Sequence, residues 1–79
     1  RGKDIASYYD KVNALLANGA TLAEIQAALA KEATVNKSLT EDQAGDVMLY
    51  ANYAKRIAPT IGDKNPSLDS FNQYRKQYI

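Results

Sequence analysis

Apolar residues recur at helical spacing in four stretches of this chain, separated by short breaks. In the first, Ile5, Tyr8, Tyr9, Val12, Leu15 and Leu16 share a stripe about 120° wide, which predicts a helix over about residues 3–18. Asp4 favours its start through the helix dipole, and Gly19 suits the position just past its end. The second stretch opens on the capping box Thr21-Leu22-Ala23-Glu24, in which hydroxyl and carboxylate satisfy free backbone donors reciprocally. Its apolar positions Leu22, Ile25, Leu29 and Ala33 predict a helix over 21–33. Only Gly19-Ala20 separates the two helices, which demands a tight helical hairpin or a sharp corner.

Thr34 to Ser38 reads as a loop, because β-branched Thr34 and Val35 and polar Asn36 disfavour helix. A second capping box, Thr40-Glu41-Asp42-Gln43, starts a third helix over 40–58, with Leu39 and Ala44 placed as a hydrophobic staple. Val47, Tyr50, Ala51, Ala54, Ile57 and Ala58 share one face, and Leu49 and Tyr53 lie beside it. So broad an apolar surface marks a central helix touching several neighbours, and Pro59 ends it. After a turn-rich connection, Asn65-Pro66 or Ser67 caps a fourth helix over 66–78. Its inner face carries Leu68, Phe71, Tyr78 and Ile79, with Tyr74 at the edge. The expected fold is all-α: a small irregular or orthogonal bundle of four short helices, forming one domain over 1–79. Unequal helices and uneven connections favour this over a regular up-down bundle.

Composition agrees with that reading and narrows the chemistry. Thirteen of the 79 residues are alanine, the best helix former, and the balance of 46% hydrophobic to 24% charged is ordinary for a globular chain. No apolar run approaches the roughly 20 residues that span a bilayer, so no membrane partner is expected. The absence of cysteine removes disulfides, thiol nucleophiles and thiolate zinc sites. The absence of histidine removes the usual base near neutrality and the commonest metal ligand. The closest-set carboxylates, Glu41, Asp42 and Asp46, fall in the first turns of the third helix, where the dipole accounts for them. Tyr8-Tyr9 fall on a core stripe. No catalytic residue, metal site or cofactor is therefore expected. The chain opens on Arg1 and stops at Ile79 on an apolar face, so it reads as a domain of a longer protein.

Charge is distributed unevenly. Residues 1–46 carry five basic and seven acidic side chains, whereas residues 47–79 carry five basic and only two acidic ones. Five of the seven aromatics also lie in the second half. Tyrosine and arginine are the side chains that anchor protein interfaces. This points to a non-catalytic module binding another protein, or another domain of its own chain, through Tyr53, Arg56, Tyr74, Arg75 and Tyr78. Arg75 is singular, since its wheel position lies inside the apolar face between Leu68 and Phe71. It must snorkel, pair with a carboxylate such as Asp46, or face a partner.

The alternative partner is DNA or RNA, with Lys55, Arg56, Lys64, Arg75 and Lys76 on phosphates. Residues Leu15 to Ile25, closing with Leu29, resemble the opening two helices of helix-turn-helix DNA-binding domains over about residues 12–30. That resemblance implies DNA binding through a following recognition helix. Here the next helix opens instead with Glu41 and Asp42, which would repel phosphate.

Overall fold

The computed structural model describes the backbone of residues 2–78 and the side chains of residues 5–77. Four α-helices follow one another: α1 Gly2–Ala17, α2 Leu22–Thr34, α3 Glu41–Asn52 and α4 Leu68–Tyr78. No strand occurs among the described residues. The all-α bundle expected from the apolar spacing is the fold.

Local chemistry sets most of the helix ends. Both capping boxes form: the Thr21 hydroxyl accepts from the Glu24 N–H while the Glu24 carboxylate accepts from the Thr21 N–H, and Thr40 and Gln43 do the same. At the end of α1, Gly19 sits at φ 87, so that the Ala20 N–H reaches the Leu15 carbonyl and the Gly19 N–H reaches Leu16. This Schellman arrangement satisfies carbonyls that the helix leaves free and turns the chain sharply into α2.

Three expected boundaries shift. Thr34, expected in the loop, is the last residue of α2, its hydroxyl donating to the Ala30 carbonyl one turn back. The third helix does not run unbroken to residue 58. Regular α geometry stops at Asn52, a π turn spans Tyr53–Ile57 and a 3₁₀ turn spans Ala58–Thr60. Pro59 has no N–H to continue the ladder, and around it the spacing widens and then tightens. The Ala58 N–H reaches back five residues to Tyr53, and the Ile61 N–H lies 3.3 Å from the Ile57 carbonyl and 3.2 Å from that of Ala58. Pro66 is likewise not the first residue of α4. Ser67 caps that helix, exchanging hydrogen bonds with Ser70, and Pro66 stays outside with its carbonyl turned to the core.

α3 is the central element, as its broad apolar face predicts. α1 and α2 pack directly on it, and the fully buried side chains Val12, Ile25, Val47 and Tyr50 come from all three. α4 is held differently. It touches α3 mainly through long side chains, in a row of rings running Tyr9, Tyr50, Phe71, Tyr53 and Tyr74. Successive centroids are 5.2, 5.7, 5.4 and 5.2 Å apart. The first two pairs meet edge to face, a favoured geometry for aromatic quadrupoles. The Tyr50 hydroxyl lies 2.6 Å from Asn13 Oδ1 and 3.0 Å from the Pro66 carbonyl, joining α1, α3 and the entry to α4 at one point.

Candidate functional site

Of the five residues expected to bind a partner, the four whose side chains are described do not share one exposed surface. Tyr53 is not partly exposed but only 2% so, because its ring is wedged between Phe71 and Tyr74. Its hydroxyl donates to Asp63 Oδ2 at 2.6 Å. Burial, with Asp63 beside it, pushes the Tyr53 pKa up. The same hydroxyl, together with that of Ser70, holds the Asp63 carboxyl below its usual range. Tyr53 is thus part of the core, and the wheel position that set it beside the apolar face underestimated how far α4 covers α3. The Tyr78 side chain lies outside the described residues, as does Ile79 with its expected place on the inner face.

Tyr74 is half-buried, with one face against Tyr53. Arg75 snorkels: its guanidinium lies 5.2 Å from the Phe71 ring centroid while the residue remains exposed. Its charge also reaches the Tyr9 hydroxyl, whose pKa is raised by burial and by Asp46 and pulled back by Arg75. Arg56 is exposed on the π turn, away from this cluster in sequence and on the other end of α3 from Asp46.

What the structure brings together on the α4 side is a groove of about 290 Å³. Tyr53 and Tyr74 line it, Ile61 forms one wall, and Asp63, Ser70, Gln73 and Gln77 make its polar rim. Ile61 is 50% exposed, large for an aliphatic side chain with a core nearby. Ile61, Gln73 and Gln77 are not marked out by the spacing of apolar residues along the chain. The available signal was an isoleucine placed in a turn just after Pro59-Thr60, where it could join no helical stripe.

The basic residues offered to phosphate do not all lie at one place. Lys55, Arg56, Lys64, Arg75 and Lys76 are all exposed. Lys55 lies over the α1–α2 turn, its ammonium 3.4 Å from the Ala20 carbonyl, and Lys64 borders a groove with Asn13, Leu16 and Ala54. Arg75 sits instead by Phe71 and Tyr9. The helix occupying the recognition position is α3, whose core face is buried and whose first exposed residues are Glu41 and Asp42.

Among acidic groups, Glu32 gathers three donors: Ser38 Oγ at 2.6 Å, Tyr8 Oη at 2.9 Å and Asn36 Nδ2 at 2.9 Å. These hydrogen bonds, that of Ser38 foremost, hold its pKa down. A general acid at neutral pH needs the opposite shift. No group of three or more acidic residues able to hold a metal occurs among the described residues. No described helix is long and apolar enough to cross a membrane. No protein-family model, curated protein or solved structure matches the chain.

Proposed function

We propose that this chain is a non-catalytic interaction module that binds another protein, or a neighbouring domain of its own polypeptide, through the α4 side of the bundle. The groove beside Tyr74 carries the reading. It joins a half-exposed aliphatic wall, Ile61, to the edge of an aromatic ring, with amide side chains of Gln73 and Gln77 around them. An apolar centre with an aromatic anchor and a polar rim is the anatomy of protein interfaces. Arg75, preset over Phe71, adds a charged donor at little further entropic cost. Sequence chemistry supports the non-catalytic half, since neither histidine nor cysteine is available and Glu32 and Asp63 are held in the ionised form.

The test has two arms. Fluorescence anisotropy with generic duplex and single-stranded DNA, at about 50 and 200 mM salt, is expected to show no binding. Affinity capture from cell extract is expected to retain a specific protein that Ile61→Asp with Arg75→Ala loses at least tenfold, while Glu24→Gln on α2 retains it. DNA binding at low salt that collapses at high salt would replace this reading with phosphate recognition through Lys55, Arg56, Lys64, Arg75 and Lys76. Equal capture by wild type and the double variant would remove the α4 side as the interface.

A further inference from the structure

The outward side of α3 has no role in the interface proposed above, and its make-up is unusual for a solvated helix face. Leu49 projects from it with 55% of its surface exposed. One turn earlier stands Gly45, in mid-helix, where glycine lowers stability relative to alanine. Its backbone is ordinary right-handed helix, so no positive φ requires glycine there. Nor does crowding, because a Cβ built at Gly45 would meet nothing within 4 Å. Within one chain, the residue has no steric reason to be glycine.

Gly45 also lies on the edge of an open groove of about 270 Å³ between α2 and α3, lined by Leu29, Ala30, Ala33, Ala44 and Met48. The face therefore offers an open space beside Gly45, bordered by alanines with Leu29 and Met48, and, one turn along the same helix, an exposed leucine. Charge is ordered along it as well. Exposed Glu41, Asp42 and Asp46 stand at one end and exposed Arg56 at the other.

We infer that α3 is the contact of a symmetric, antiparallel pair of copies of this chain, with Leu49 of each copy seated over Gly45 of the other. A two-fold axis requires every contact to be made twice, and a knob and a hole one helical turn apart meet that requirement when the helices run in opposite directions. In that register Asp42 falls opposite Asn52 of the second copy, with Arg56 one turn further along and within side-chain reach. A parallel pairing would instead set the acidic ends against each other. The charge order thus selects a second copy in antiparallel orientation as the occupant of this face. The contact is about one helix long, so the pair is a weak one that forms with rising concentration.

Sedimentation equilibrium of the chain from about 10 μM to about 1 mM tests this over the range suited to a small interface. The apparent mass is expected to rise from one chain towards two. Gly45→Gln and Leu49→Gln are each expected to weaken association at least tenfold. Gly45→Gln should also melt at a higher temperature than wild type in dilute solution, since it fills open space with a better helix former. That pairing of a more stable monomer with lost association separates an interface role from simple misfolding. Arg56→Glu should weaken the pair, and Asp42→Arg combined with it should restore association. A wild-type chain that stays monomeric at 1 mM overturns the proposal, as does a Gly45→Gln variant that pairs as wild type does. Failure of the charge swap to restore association overturns the antiparallel register. None of these readouts depends on the groove beside Tyr74.

Discussion

Lys37 holds a left-handed backbone, φ 59, in the loop that carries α2 into α3. For an L-residue with a Cβ this conformation costs roughly 1–2 kcal/mol. Glycine adopts it freely but loses more conformational freedom on folding, by about 0.5–1 kcal/mol. Lys37→Gly is therefore expected to stabilise the chain by about 0.5–1 kcal/mol net, raising Tm by about 2–8 °C in a domain of this size. Thermal unfolding followed by circular dichroism measures it, and an unchanged or lower Tm would mean that the lysine side chain itself supports the loop. The contrast with Gly19 and Gly62 is instructive. Both glycines take positive φ just after a helix or turn, where the Ala20 and Asp63 N–H groups reach back to Leu15 and Ala58. Gly19 could be assigned that task from the chain alone because a helix plainly ended before it. Nothing in Asn36-Lys37-Ser38 marks the lysine as the residue that must turn.

At the scale of the elements, what was legible was local. Thr21 and Thr40 announce helix starts because a capping box closes within four residues, and both boxes form. The π turn at Tyr53–Ile57 was not legible, since Pro59 marks where the helix must end but not how the backbone hydrogen bonds rearrange before it. The burial of Tyr53 was not legible for a related reason: it depends on Phe71 and Tyr74 of α4, an element distant in sequence. The candidate site suffered most, because Ile61, Gln73 and Gln77 gather only once α4 has docked. That docking can be tested at Tyr50, whose hydroxyl links Asn13 of α1 to the Pro66 carbonyl before α4. Tyr50→Phe keeps the edge-to-face ring contacts with Tyr9 and Phe71 and removes only that link. The expected cost is about 1–2 kcal/mol, between a lost hydrogen bond and a part-buried carbonyl left underused. Amide hydrogen exchange should show protection falling first in α4, which rests on rings more than on close backbone contact. An equal loss across all four helices would show that α4 does not open on its own.

For the whole molecule, the same hydrogen bonds that tie the elements together set its response to pH. Glu32 binds α1 through Tyr8 and the α2–α3 loop through Ser38 and Asn36. Asp63 binds the loop before α4 to Tyr53 in the core. Each carboxyl is more acidic folded than in an open chain, where the reference values are 4.5 and 3.8. Between the two states' pKa values the unfolded chain binds the extra proton, so stability is present above the unfolded value and falls as pH drops through the folded one. Tyr9, Tyr50 and Tyr53 act in the other direction. Burial raises each above its reference of 10.0. Their contribution is whole below that value and is lost as pH rises through the folded pKa. Between these limits neither histidine nor cysteine is present to titrate. Denaturant midpoints measured from pH 2 to 12 should therefore give a plateau over roughly pH 5–9, with an acid and an alkaline shoulder. Glu32→Gln with Asp63→Asn should lower the plateau and flatten the acid shoulder while leaving the alkaline one in place. An acid shoulder as steep in the double variant as in wild type would mean that other carboxylates govern acid unfolding, and that Glu32 and Asp63 are spectators of the contacts they make.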